Sequence, residues 1–210
     1  MILVGQYDSP FVRRVAVTLH HYHMPFKRQP LSVFGDFKAM GEINPLVRVP
    51  ALILESGETL IDSGAIIDHL DQVAGPRALT PAHGAERRKI LKICAVSTGC
   101  SDKTVSLFFE RQFHSKKDSR SDLDKRLSRQ LKAGIDWLEH ECGTPWFIDN
   151  SMTQADVTIG CMLSHVKLRL PEFFPPDKYL KLHALARHCE MMPEFDAARI
   201  GANETVPKKL

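Results

Sequence analysis

Two short segments on either side of a predicted hairpin carry the residue types from which a peptide-binding site can be built. The first is Asn44-Pro45-Leu46-Val47-Arg48-Val49-Pro50, and it leads into an apolar strand that begins at Ala51. A proline at the start of a strand has no N–H, and a cis Val49-Pro50 bond would turn the backbone N–H and carbonyl group of Val49 outward. Such groups can pair with an extended peptide.

The second segment is Asp62-Ser63, which precedes a helical pattern with Ile66, Ile67 and Leu70 on one face. Ser63 is predicted to be the N-cap of this helix. A helix N-terminus carries unpaired N–H groups and a partial positive charge, so it favours a carboxylate. Asp62, for which the pattern indicates no helix to cap, can accept from an ammonium group. Taken singly, Ser63 can be an ordinary helix cap and Asp62 an ordinary surface acid. As a pair, they can bind the carboxylate and the ammonium group of an amino acid.

A hydroxyl group near the amino terminus is the third candidate. Ile2-Leu3-Val4 is predicted to be a buried strand, and Ser9-Pro10 begins a helix with an apolar stripe. Ser9 is expected at the N-cap, a position compatible with a further role as a donor. No glycine-flanked elbow surrounds it, and the spacing singles out no histidine and acid, so the sequence does not indicate a serine hydrolase. Tyr7 is the alternative hydroxyl donor.

Together these segments resemble the glutathione site of cytosolic glutathione S-transferases, and Ser9-Pro10-Phe11-Val12-Arg13-Arg14-Val15 is similar to the segment of serine-type, bacterial-like members. The resemblance implies that Ser9 donates its hydroxyl to the glutathione sulfur and favours thiolate over thiol, whose ordinary pKa is about 8.5. It makes Tyr7 the second choice, because other classes use tyrosine. Cysteine, used by further classes near this turn, is absent there.

The same resemblance assigns parts of glutathione to the remaining residues. The cysteinyl unit would pair with Val49, which precedes Pro50, and the γ-glutamyl group would bind at Asp62 and Ser63. Arg48 stands where many members carry lysine, and it would either pair with the glycyl carboxylate or be solvated. Val47 replaces a glycine of the family pattern.

The resemblance also implies a fold: an α/β thioredoxin-like domain over residues 1–75, a linker over 76–85 and an all-helical domain over 86–210. Proline and glycine near Gly75-Pro76 fit the boundary. In the second half, long helical patterns run from Glu86 to about Phe113 and from Asp122 to Glu141. Thr153 and Asp156 have the spacing of a capping box and are assigned to stability.

Composition restricts the other possibilities. The 210 residues carry a formal charge of +3, which is too mild to indicate nucleic-acid binding, and 43% of them are hydrophobic. No apolar stretch reaches membrane-spanning length, so we expect a cytoplasmic protein. Five cysteines without a C-x-x-C pair fit a reducing compartment, and no disulfide is expected. The histidines near His20 and His183 lack the spacing of a metal site, and none is expected.

The expected function is therefore a glutathione transferase that directs the glutathione thiolate at a small apolar electrophile held between the domains. Contacts to that substrate are expected from the turn near Phe11 and from the helix that contains Phe108, Phe109 and Phe113. These three rings are left unassigned, because aromatic residues on a helix are more often part of the core. By resemblance the protein is expected to be a homodimer. Two alternatives remain: a non-catalytic scaffold of the stringent-starvation-protein kind, and a glutathione-dependent isomerase, whose Ser-Ser-Cys signature is missing around Ser9.

Overall fold

Residues 1–113, 121–148 and 150–204 are described by the structure, which is a computed structural model. The contacts within the protein divide it into two units. The first is Met1–Ala82 together with the residues from Met191 onward, and the second is His83–Glu190. A thioredoxin-like sheet domain followed by a larger all-helical domain confirms the predicted fold class.

The first unit combines four strands and three helices in its first 74 residues. Its elements are β1 (Ile2–Val4), α1 (Pro10–His21), β2 (Lys27–Gln29), α2 (Phe37–Ile43), β3 (Ala51–Ile53), β4 (Thr59–Ile61) and α3 (Ser63–Ala74). The sheet order is β2-β1-β3-β4, with β1 and β2 parallel and the other two pairs antiparallel.

The strand register brings the three candidate segments to one edge of the sheet. Val4 at the end of β1 pairs with Ala51 at the start of β3, and Ala51 pairs with Ile61 at the end of β4. Because neighbouring strands lie only about 4.8 Å apart, the turn after β1, the loop before β3 and the start of α3 emerge side by side. The sheet therefore positions the site.

Helix α1 buries the apolar stripe that its sequence predicts. Val12, Val15, Ala16 and Leu19 are fully buried. Two arginines in the same helix, Arg13 and Arg14, are also buried, which the apolar pattern does not indicate. Buried arginines need partners within the protein, and here Arg13 donates to the Ala198 carbonyl and Arg14 to the Ser63 hydroxyl.

The second unit is built from α4 (Gly84–Phe113), α5 (Asp122–Glu141), α6 (Gln154–Arg169) and α7 (Leu180–Glu190). The predicted capping box at the start of α6 is confirmed. Asp156 is fully buried and accepts from the N–H of Thr153 at 2.8 Å and the N–H of Phe147 at 2.7 Å. Burial raises the pKa of Asp156, and these donors oppose that change.

The last described residues return to the first unit. A short helix, α8 (Pro193–Ala197), is followed by a 3-10 turn over Ala202–Glu204, and both group with the sheet domain. Within the described ranges, every helix is too short or too polar to cross a membrane.

Candidate functional site

An open cleft with an empty volume of about 380 Å³ lies at the sheet edge where the three segments meet. It contains five of the six residues that the sequence predicts for the site: Arg48, Val49, Pro50, Asp62 and Ser63. The rest of its wall comes from Phe11, Asn44, Leu46 and Ile61. Ser9, the sixth predicted residue, does not line this cleft, although Phe11 in the first turn of the same helix does.

The Val49–Pro50 peptide bond is cis. Among the described residues, neither the backbone N–H nor the backbone carbonyl group of Val49 has a hydrogen-bond partner. The strand pairing of β3 starts two residues later, at Ala51. A donor and an acceptor on one residue, both unpaired and at a cleft, can accept an extended peptide in the manner of an added strand.

Asn44 gives the loop before Val49 its shape. Its side-chain Nδ2 donates to the Arg48 carbonyl at 2.8 Å, and its Oδ1 accepts from the Leu46 N–H at 3.0 Å. Val47 adopts a φ of 50°, a region that β-branched residues rarely occupy. Glycine adopts this conformation without strain, whereas Val47 adopts it with a β-branched side chain.

The cap of α3 is Asp62 and not Ser63, which corrects the sequence prediction. Asp62 has a φ of 71°, and its Oδ1 accepts from the Gly64 N–H at 2.7 Å, whereas Ser63 is the first helical residue. The prediction that Asp62 has no helix to cap was wrong because a left-handed backbone turns its carboxylate back over the helix start. The Gly64 N–H is the partner that the structure gives to Asp62, so Oδ2 remains available to a cationic ligand.

Ser63 combines a helix N-terminus with a buried arginine. Its side chain is buried, and its Oγ accepts from Nη1 of Arg14 at 3.2 Å. The hydroxyl proton of Ser63 therefore points away from Arg14, and it can be donated to an anion. The N–H of Ser63 is also one of the unpaired donors at a helix start. A carboxylate at this position would meet two donors close to a positive charge.

Ser9 is the N-cap of α1, as the sequence predicts, with its Oγ accepting from the Val12 N–H at 3.4 Å. Its turn lies against the cleft loop. A Cβ added to Gly5, which has a φ of 126°, would stand 2.9 Å from the Cβ of Val49 and 2.6 Å from a Val12 methyl group. Only glycine permits this approach. The turn that carries Ser9 thus packs directly behind Val49.

Tyr7, the alternative hydroxyl donor, is buried beneath an arginine. It is only 1% exposed, and its ring is covered by Arg28, whose Cζ lies 3.4 Å from the ring centroid. Burial raises the pKa of its hydroxyl, which the Arg28 cation partly offsets. The hydroxyl has no hydrogen-bond partner among the described residues, and Tyr7 does not line the cleft.

No cluster of three or more potential ligands for a metal ion occurs among the described residues. All five cysteines are buried thiols, and burial raises the pKa of Cys100 and Cys142 to about 12. In the second unit, Phe109 packs between Phe108 and Phe113 with ring centroids 5.7 and 5.8 Å apart. Two lysine pairs, Lys116-Lys117 and Lys208-Lys209, which the sequence predicts to be solvated, lie outside the described residues.

Two residues that the sequence reasoning did not assign shape the site. Asn44 fixes the loop before Val49, and Arg14 binds Ser63. An Asn-Pro pair is a known turn signal, so Asn44 was open to prediction. Nothing in the sequence connects Arg14 with Ser63, which lies 49 positions away.

This chain is similar in sequence and in fold to several known proteins. Residues 3–78 match the glutathione S-transferase N-terminal domain. An uncharacterised glutathione S-transferase-like protein of Escherichia coli, YibF, is 25% identical over 80% of this chain and 83% of its own. A probable maleylacetoacetate isomerase of Drosophila melanogaster is 30% identical over 45% of this chain and 44% of its own.

Among solved structures, a glutathione transferase family member from Pseudomonas fluorescens with bound glutathione superposes with a TM-score of 0.84 at 25% identity, covering 96% of this chain and 99% of its own. Residues 3–78 thus match a glutathione S-transferase domain, and the fold of the chain is similar to that of a glutathione transferase family member.

Proposed function

We propose that this protein is a serine-type glutathione transferase, which binds glutathione in the cleft and directs its thiolate at a small apolar electrophile. The observation that carries the proposal is the unpaired backbone of Val49 in the same cleft as the start of α3 at Asp62 and Ser63. One peptide ligand would use both features, because its backbone pairs with a strand and its terminal amino acid carries both charges.

Glutathione has a hydrogen-bonding or charged group for each of these residues of the cleft. Its cysteinyl N–H and carbonyl group would pair with Val49, and its γ-glutamyl carboxylate would accept from the N–H and hydroxyl of Ser63. Oδ2 of Asp62 would accept from the ammonium group, and the exposed Arg48 would attract the glycyl carboxylate. The bound glutathione of the Pseudomonas fluorescens structure supports this assignment.

Ser9 would act on the sulfur of the bound ligand. Its hydroxyl would donate to the thiolate, and the N-terminus of α1 would add a favourable partial positive charge. Each unit by which the thiol pKa falls corresponds to about 1.36 kcal/mol of preferential thiolate stabilisation. The thiolate then forms an S–C bond with the electrophile. Either a leaving group departs with its electron pair, or the carbanion formed by addition takes a proton.

Several observations favour Ser9 over Tyr7 as the hydroxyl donor. The turn of Ser9 packs behind Val49 through Gly5, whereas the Tyr7 hydroxyl is buried beside Arg28 with a raised pKa. A tyrosine with a raised pKa is a poorer donor to a thiolate.

A glutathione-dependent isomerase is the second candidate reaction, and the similarity to the Drosophila melanogaster protein supports it. The Ser-Ser-Cys signature that resemblance would require is absent around Ser9. We also propose a homodimer, which sedimentation analysis would test, since a particle with the mass of a single protomer would refute it.

The proposal is tested by calorimetric titration with reduced glutathione, with thiolate absorbance recorded against pH in the same preparations. Wild-type protein should bind glutathione and depress its thiol pKa, and Tyr7→Phe should do the same. Ser9→Ala should retain affinity within about threefold but lose most of the pKa depression and conjugation rate. Ser9→Thr, which keeps a hydroxyl, is the matched control.

Other outcomes have distinct meanings. Binding without a lowered thiol pKa would refute thiolate activation and leave a carrier or a different glutathione-dependent reaction. No binding at millimolar glutathione would leave only the scaffold. Unchanged conjugation by Ser9→Ala would remove Ser9 from the mechanism.

A further inference from the structure

The C-terminal part of the described residues contacts α1 near both of its ends. Nε of Arg13 donates to the Ala198 carbonyl at 2.9 Å, and the Arg13 guanidinium lies 5.5 Å from the ring centroid of Phe195. At the other end of α1, Nδ1 of His21 lies 3.0 Å from Oε1 of Glu194. These contacts span the length of the helix that Ser9 caps.

The same segment contains a buried carboxylate, Glu204, which is 6% exposed. Its Oε1 accepts from Nη2 of Arg28 at 2.6 Å and from the backbone N–H of Tyr7 at 3.4 Å. Its Oε2 accepts from the Gly201 N–H at 2.9 Å, which closes the 3-10 turn that presents it. The carboxylate is therefore shared between its own turn and the start of the first unit.

Tyr7 lies in the turn between β1 and α1, two residues before Ser9. Glu204 is the acceptor for the Tyr7 N–H among the described residues, and Arg28, which Glu204 binds, covers the Tyr7 ring. Elsewhere in this turn, the Gly5 N–H donates to Gln29 and the Ser9 N–H to Gln6. Glu204 and Arg28 thus hold both the backbone and the ring of Tyr7.

We propose that Glu204 is a positioning residue for Ser9, acting through Tyr7 from the opposite end of the sequence. This inference rests on the proposed role of Ser9. Without Glu204, the buried Tyr7 N–H has no acceptor, and the turn must shift to expose it to water. Arg28 tolerates the loss better, because 38% of its side chain is already exposed. A shift of the turn moves the Ser9 hydroxyl relative to Val49, where the sulfur would lie.

The test compares Glu204→Ala and Glu204→Gln with Glu194→Ala. Glu194 is a matched control, because it is also a nearly buried carboxylate of the C-terminal segment that contacts α1, but at the end remote from Ser9. For each protein we would measure the thermal melt, the affinity for glutathione, the thiol pKa of the bound ligand and kcat for conjugation.

Glu204→Ala should raise the thiol pKa by about one unit and lower kcat about tenfold at pH values below it, with glutathione affinity within about threefold of wild type. Glu204→Gln keeps an acceptor for the Tyr7 N–H and should lie between Glu204→Ala and wild type; it also provides the comparison if Glu204→Ala does not fold. Glu194→Ala should melt earlier without a change in thiol pKa or kcat.

The inference is overturned if Glu204→Ala and Glu204→Gln only lower the melting temperature and leave the thiol pKa and kcat unchanged. It is also overturned if Glu194→Ala changes them equally, because the segment would then act on stability alone. Failure of the proposed function is distinguishable, since in that case wild-type protein itself shows no glutathione binding or no lowered thiol pKa.

Discussion

Replacing Asp62 by asparagine separates the two roles that the structure and the proposed function give to this residue. In the free protein, Oδ1 of Asp62 caps α3 through the Gly64 N–H at 2.7 Å, with the backbone at a φ of 71°. Asparagine caps helices as well as aspartate does and tolerates the same left-handed backbone. Asp62→Asn should therefore keep the fold and its stability within a few tenths of a kcal/mol.

The charge that would bind the ligand ammonium group is lost in Asp62→Asn. The side chain is exposed, and an exposed ion pair contributes at most about 1 kcal/mol, whereas a hydrogen bond to a charged group contributes about 1.5 to 3 kcal/mol. A ligand covers part of the carboxylate, so we expect a loss of about 1 to 2 kcal/mol. Glutathione affinity should fall by a factor of about 5 to 30.

Calorimetric titration provides the assay, with des-amino glutathione, which lacks the ammonium group, as the second ligand. Wild type and Asp62→Asn should bind this analogue equally. Asp62→Ala loses the cap and places alanine at a positive φ, at a cost of roughly 2 kcal/mol and 4 to 8 °C in Tm. The reasoning is refuted if Asp62→Asn binds glutathione like wild type, or if it loses affinity for both ligands alike.

Three further predictions concern stability and the thiols. Asp156→Ala should lower the free energy of unfolding in urea by about 3 to 5 kcal/mol, because the buried N–H groups that donate to Asp156 lose their acceptor. Thr153→Ala, which removes only the helix cap, should cost about 1 kcal/mol. Equal losses for the two variants would contradict the central role of Asp156 in these hydrogen bonds. Burial disfavours the ionised form of Asp136. Hydrogen bonds from Lys132, Lys178 and Tyr179 outweigh this effect and lower the pKa of Asp136 to about 2. Its stabilisation is present above the unfolded value of about 3.9 and is lost as the pH falls towards 2, so thermal melts of Asp136→Asn and wild type should converge there. Burial raises the pKa of Cys100 to about 12, so Ellman's reagent should react with its thiol only after unfolding, and rapid native labelling would count against that burial.

Local patterns in the sequence were sufficient for the elements. The Ser9-Pro10 start of α1, the hairpin before Asp62 and the capping box of Thr153 and Asp156 each depend on residues within a few positions of one another. These patterns, with the family resemblance, predicted the fold class, and the structure confirms it. The cap of α3 was misplaced by one residue, because Asp62 and Ser63 are both good caps and only the backbone angle distinguishes them.

The sequence also identified the residues of the cleft, since Val49-Pro50 and Asp62-Ser63 are recognisable as short motifs. What it left open is how they meet. The pairing of Val4 with Ala51 and of Ala51 with Ile61 brings the segments to one edge, and strand register depends on the whole sheet.

Tertiary structure alone decided the contacts that support the site. Arg14 reaches Ser63 across 49 positions, and Glu204 reaches the Tyr7 N–H across 197. The hydrophobic periodicity of the sequence does not reveal a buried arginine or glutamate, because charged side chains are normally exposed. Their burial depends on a partner that only the folded protein supplies. The sequence by itself therefore determined which chemical groups are present and on which elements they lie. Packing decided which of them are neighbours, because hydrogen bonds depend on distance in space and not on separation along the sequence.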